Sequence, residues 1–224
     1  MALVLVVPVS VVAARWQWHR HLERDAMNAA IIQSERTPPV PWQTLELSAA
    51  RSAEWRRVTA HGEWLLDQQQ LVRKSVVNGE VGFDVYTPFR DADGSILCVL
   101  RGWIPTADST VPPPATSENA TIVLRVRRAT GTGPIRPSDL PSGQINRIDP
   151  KAQGSAVPAV FELISPVPDG LVALPWPELT SGPHLSYFVQ WILIGCTAVV
   201  VYFRVMVLEF RRPEDDEIAE SSAD

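Results

Sequence analysis

Residues Tyr187–Leu208 read YFVQWILIGCTAVVVYFRVMVL, an apolar run whose one full charge, Arg204, lies near its C-terminal end. At roughly 1.5 Å per residue the run makes about 33 Å of helix, against a hydrocarbon core of about 30 Å. Arg204 can snorkel to the interface, and Arg211 and Arg212 follow just beyond it. The stretch predicts a transmembrane helix over 185–208, in preference to a buried core helix, and makes this a membrane protein. The acidic residues 214–224, EDDEIAESSAD, close a 209–224 tail that reads as solvated and disordered.

At the other end, Met1–Ala14 is also apolar but covers only about 21 Å as helix. Adding RWQW (15–18) brings it closer to a span, with Trp16 and Trp18 at headgroup level. Residues 1–20 are therefore expected to be a first transmembrane helix whose true start lies upstream. A cleaved signal peptide competes, but lacks a convincing basic leader and cleavage site. RHLERDAMNAAIIQSER (20–36) has helix formers without glycine or proline until TPPVP stops it, which predicts a helical extension over 21–36. Arg15, Arg20 and Arg24 after the first segment balance Arg204, Arg211 and Arg212 after the second, so charge counting leaves the orientation tied.

The chain has 224 residues and a formal net charge of −5, with no basic stripe to neutralise phosphates, so nucleic acid is not an expected partner. Cys98 and Cys196 lie far apart, Cys196 within the apolar run, and no Cys/His cluster or His-Glu-x-x-His occurs. A disulfide framework, a copper-delivery site and a zinc hydrolase all lack their residues. Clustered prolines in PPVPW, VPPPATS and PVPDGLVALPWP mark loops.

Between the anchors, WRRVTAHGEWL, QQLVRKSVV, VGFDVYTPF, SILCVLRGWIP, TIVLRVRRAT, GQINRID and VFELIS are short, β-branched and aromatic, and bounded by turns such as DADG and GTGP. They predict a β-rich domain over 42–180, a small antiparallel barrel or sandwich. The fold class is therefore α+β, with two transmembrane helices flanking one β domain. In LRGWIP, Arg101 and Trp103 fall on one face with Gly102 between them. One reading stacks the guanidinium on the Trp103 indole, with the glycine allowing a bulge; the other has Arg101 offering a cation to an anionic group at the domain edge. Asp84, Asp91, Asp93 and Asp108 form no acid–base pair, and no serine sits in a nucleophile elbow, so no enzyme site is expected. No Gly-rich phosphate loop precedes a helix.

These residues resemble the surfeit locus protein 1 family of cytochrome c oxidase assembly factors, closest to its actinobacterial branch. The likeness is carried by Trp16, Gln17 and Arg20 in RWQWHR, Gly62 and Trp64 in GEW, and Gly82 with Thr87, Pro88 and Phe89 in GFDVYTPF. It continues through Arg101, Gly102 and Trp103 in LRGWIP and ends in GPHLSYFVQW (182–191), in the family's order along nearly the whole chain. Ala14 stands where the family usually has a glycine. The resemblance implies a two-pass protein of the cell membrane with an extracytoplasmic β domain and a cytoplasmic C-terminus. It also implies a non-enzymatic role in maturing the oxidase, helping haem a reach the catalytic subunit beside a haem a synthase.

Some members are thought to bind haem a through a histidine at the second span, a position that His184 holds. As a helix, PHLSYFVQW puts His184, Tyr187, Phe188 and Trp191 at i, i+3, i+4 and i+7, an aromatic stripe headed by an imidazole. His184 would ligate the iron, Tyr187 and Trp191 would pack the ring, His19 or His21 would stand level as a second ligand, and Arg20 would face the propionates. The other reading is an ordinary interfacial aromatic belt with a hydrogen-bonded histidine. His61, in a strand, has no feature of a ligand. Two further functions stay open: a scaffold for oxidase assembly intermediates without a cofactor, and a membrane-anchored periplasmic binding module.

Overall fold

A computed structural model describes residues 2–47, 53–106, 120–129, 134–136 and 140–221. The proline-rich VPPPATS stretch, Asp108 and Gly131–Gly133 of the GTGP turn lie outside them. The chain divides into two compact units, residues 1–29 with 179–224, and residues 30–178.

The first unit is helical. Helix α1 runs without interruption over Ala2–Arg36, its last turns belonging to the second unit, and α2 runs over His184–Ser221. α1 stops where the sequence signals it must: Pro38 and Pro39 cannot continue the ladder, and the Thr37 amide closes the last turn on the Gln33 carbonyl at 3.1 Å. α2 stays helical through most of the stretch read as an irregular tail. Residues sheltered on α2 include His184, Phe188, Trp191, Gly195 and Ala198, and on α1 they include Ser10, Ala14, Gln17, His21 and Arg24. Both sets step by three and four, the spacing of a helix–helix seam. Small residues let the backbones approach: a Cβ added at Gly195 would stand 3.3 Å from Cβ of Ser10. Tyr187 departs from the expected stripe; it is exposed.

Only α2, over His184–Phe210, is long and apolar enough among the described residues to cross a membrane. α1, the other expected span, turns polar at Arg15, Arg20 and Glu23.

The second unit holds all seven expected strands and one two-residue strand before them. These are β1 (Val40–Pro41), β2 (Arg57–Trp64), β3 (Gln70–Val77), β4 (Glu80–Asp91), β5 (Ile96–Pro105), β6 (Ala120–Arg128), β7 (Gln144–Ile145) and β8 (Ala159–Ser165). Asn78 and Gly79, with φ of 53° and 83°, form the tight β3–β4 turn, where a positive φ at both central residues matches the strands' twist. The sheet order is β1-β2-β6-β8-β5-β4-β3-β7, and Gly62–Trp64 of β2 also pair with Asp91–Phe89 of β4.

The sheet is mixed, which corrects the antiparallel expectation. β1–β2, β3–β7 and β5–β8 are parallel. β8 enters between β5 and β6, parallel to the first and antiparallel to the second. Alternation along a strand reports which face is buried and says nothing about the direction of its neighbour. Val58, Phe89, Leu97, Val99, Leu124, Val126 and Phe161 are fully buried and form the main core. Each contributes about 1.5–3 kcal/mol relative to exposure, offset by the entropy of ordering the chain. Tyr86, Cys98, Ile145, Ile148 and Val160 form a second cluster and Val85, Ile104 and Leu171 a third, so β4 and β5 carry apolar side chains to all three.

Candidate functional site

The start of α2 is set by its own sequence. Gly182 adopts a positive φ of 61°, its amide bonds the Thr180 hydroxyl at 3.1 Å, and the Ser186 hydroxyl donates to the Pro183 carbonyl at 2.8 Å. His184 is thereby the first helical residue. Its Nδ1 lies 2.9 Å from Oε1 of Gln17 on α1. An amide oxygen can only accept, so Nδ1 is a protonated nitrogen, and in the neutral ring Nε2 keeps the lone pair that a metal would use. A Cβ at Gly182 would stand 3.5 Å from that Nε2, so the glycine keeps the nitrogen uncrowded.

His184 lines a cavity of about 440 Å³ with Trp16, Arg20, Glu23, Arg24 and Met27. Arg20 lies 5.8 Å over the Trp16 ring and pairs with Glu23 at 3.0 Å. The cavity thus combines an imidazole, two guanidinium groups, one of them paired with the Glu23 carboxylate, a flat indole and a thioether. Arg20, Arg24 and Met27 follow Trp16 at helical steps of four, four and three, so α1's periodicity held the signal for Arg24 and Met27, which composition and motif did not raise.

The structure brings together only part of the expected set. His184, Arg20 and Trp16 share the cavity. Trp191 lines a separate apolar cavity of about 410 Å³ with Val7, Ser10 and Cys196. Trp18 stacks at 5.3 Å on Phe188 and at 5.5 Å on His21, which itself reaches Asp25 at 3.4 Å; His19 is exposed. Neither histidine is among the described residues lining the cavity at His184.

In the sheet unit the motif residues serve packing. A Cβ at Gly62 would fall 1.9 Å from the Arg90 carbonyl oxygen, so only glycine permits β2 to meet β4 there. A Cβ at Gly82 would overlap the Trp103 indole at 2.4 Å. At Gly102 the Val172 carbonyl would be 2.8 Å away, and Trp103 and Val172 exchange two backbone hydrogen bonds beside it. Trp64 meets Phe89 edge-on at 5.0 Å, and the Leu65 amide bonds the Pro88 carbonyl at 2.9 Å.

Arg101 is fully buried and occupies the β4–β5 irregularity, where Val85 pairs with Gly102 but Tyr86 with Leu100. Its guanidinium lies 5.7 Å from the Trp64 ring centre, and Nη2 donates to Oε1 of Gln69 at 2.9 Å. This corrects two expectations: the stacking partner is Trp64 from another strand, not Trp103, and the group lies inside the domain, not at its edge. Burial pushes its pKa down to about 10, still charged at neutral pH.

Comparison with known proteins agrees with this distribution of motif residues over both units. A SURF1-like protein of Mycobacterium tuberculosis is 36% identical over 219 residues, covering 91% of this chain and 80% of the relative. A SURF1-like protein of Monosiga brevicollis is 26% identical over 224 residues, covering 90% and 85%. Cytochrome oxidase assembly protein SHY1 of Saccharomyces cerevisiae is 28% identical over 107 residues, 46% of this chain and 28% of its own. The profile of the SURF1 family matches residues 4–196, from the start of α1 through the whole sheet to the middle of α2. With one pattern spanning the Gln17–His184 pair and the glycine contacts of the sheet alike, this chain belongs to the SURF1 family.

Proposed function

We propose that this protein is a non-enzymatic, membrane-anchored assembly factor for cytochrome c oxidase, and that its helical unit holds haem a on the way to the catalytic subunit, beside a haem a synthase. Membership of the SURF1 family and the name of the yeast relative support the assembly role. The observation that carries the haem reading is His184, whose Nδ1 is held by Gln17 on the wall of a cavity that also presents Arg20 and Arg24. The donor set fits a haem: a neutral imidazole for the iron, guanidinium groups for the propionates, and the Trp16 indole for the ring. Haem a, when bound, supplies the redox centre destined for the oxidase, and the chain binds and orients it without bond chemistry. In this reading α1 and α2 both cross the membrane, with the sheet unit on the extracytoplasmic side.

The test is absorbance of the full chain purified from cells making haem a. His184→Ala should lose the co-purifying haem band, and Gln17→Leu should weaken it. Unchanged absorbance in His184→Ala removes the haem reading. Loss of mature oxidase on deletion of the gene, with no haem in the purified wild type, leaves the cofactor-free scaffold. A functional oxidase after deletion overturns the assembly role itself.

A further inference from the structure

The sheet unit contains a second, polar cavity that the assembly reading does not use. It measures about 260 Å³, and its charged lining is Arg73, Arg127, Arg128, Arg147, Asp84 and Glu162. Arg73 comes from β3, Asp84 from β4, Arg127 and Arg128 from β6, Glu162 from β8, and Arg147 follows β7. Guanidinium groups therefore outnumber carboxylates in the wall.

The carboxylates nearby only partly offset them. Glu162 is taken by Arg125, with Arg127 farther off at 3.8 Å. Arg128 pairs with Glu54 at 2.8 Å, and Arg147 with Asp149 at 3.4 Å. Arg73 is exposed and has no ion pair among the described residues. Asp84 accepts the Ser75 hydroxyl at 2.6 Å, yet burial, helped by the Glu162 charge, pushes its pKa up to about 6. Its carboxylate is thus easier to neutralise than an ordinary one: mostly ionised at neutral pH, it can take up a proton beside a bound oxyanion and then donate a hydrogen bond to it.

The remaining wall is polar at Ser75 and Asn146 and apolar at Val72, Leu100, Ile148 and Val160. The volume falls below the roughly 300–1,000 Å³ of pockets for drug-sized ligands. We propose that this cavity binds a small organic anion, a carboxylate on a short hydrocarbon stem, with Arg73 and Arg147 meeting the carboxylate and the valine and leucine side taking the stem. Guanidinium groups beside an apolar stretch of wall suit a planar oxyanion on a short stem better than a cation.

The full chain in detergent, titrated calorimetrically with butyrate, tests this. Saturable binding is expected. Arg73→Gln, an exposed position that leaves the core intact, should weaken it about tenfold, as loss of one charge-assisted hydrogen bond does. Asp84→Asn should strengthen it, since the amide keeps a donor and removes a like charge. Arg90→Gln, on an exposed pair with Glu63 away from the cavity, is the control and should change nothing. Inorganic phosphate is the second probe; equal binding of both anions would remove the role of the apolar stem and overturn the assignment to an organic anion. No saturable butyrate binding, or equal weakening by Arg73→Gln and Arg90→Gln, would overturn the site.

Discussion

Two glutamines hold two nitrogen donors at the same distance, with opposite consequences. Gln17 accepts from Nδ1 of His184 at 2.9 Å in the helical unit, and Gln69 accepts from Nη2 of Arg101 at 2.9 Å in the sheet unit. His184 stays on the wall of a cavity, one nitrogen fixed and the other left as a lone pair. Arg101 is enclosed completely, stacked on Trp64 and locked in a strand irregularity. A hydrogen bond to a glutamine therefore says little by itself about role. What surrounds the rest of the group decides whether the contact orients a ligand or completes a core.

The contrast can be broken by substitution. Gly62→Ala should have the largest effect, since its Cβ would meet the Arg90 carbonyl at 1.9 Å and force β2 from β4. A loss of at least about 4 kcal/mol, or failure to fold, is expected in denaturant unfolding. Arg101→Ala should follow at about 3 kcal/mol, leaving a cavity and removing one of two donors to Gln69 Oε1, the other being the Thr87 hydroxyl at 3.2 Å. A loss under about 1 kcal/mol would mean that the buried guanidinium is not structural.

Asp84→Asn tests the sheet unit in the other direction. A carboxyl whose folded pKa is about 6, against an ordinary 3.8, binds protons more readily folded than unfolded. Folding is thus favoured below about pH 4 and loses that contribution as pH rises to about 6. The asparagine variant should flatten this slope and unfold later at neutral pH, by up to roughly 3 kcal/mol. An unchanged pH profile would place the titration elsewhere.

Gln17→Leu belongs to the helical side and should leave sheet stability within about 0.5 kcal/mol, while loosening any metal held by His184 by about tenfold or more. If it destabilised the fold as much as Arg101→Ala does, the two glutamines would share one structural role. Tyr187→Phe, off the sheltered seam, should alter neither quantity measurably.

Much of this arrangement was legible from the residues. Strand positions followed from β-branched runs between turns, and every expected strand is present because local propensity and burial agree there. Strand direction was not legible, because β8 finds β5 and β6 across long loops. The stacking partner of Arg101 escaped for the same reason: Trp103 is two residues away in sequence, whereas Trp64 arrives from β2 through the contact that Gly62 permits. His184 and Arg20 were recoverable from motif and periodicity. His19 could not be excluded by spacing alone, since a helix turns an adjacent residue by about 100° and only the seam between the two helices fixes which one faces inward.

The placement of β8 also bears on how the chain is made. β5 and β6 wait as open edges until residues 159–165 have been synthesised, and only then can the order β6-β8-β5 close. Long-range pairing of this kind is slow, and unpaired edges in the interval invite pairing with other chains. Because α2 begins at His184, soon after β8, the apolar helix is the next long element to emerge once the sheet can close. A chain cut short between β6 and β8 would therefore present two bare strand edges and no second helix, a species suited to aggregation and proteolysis rather than to a smaller working protein.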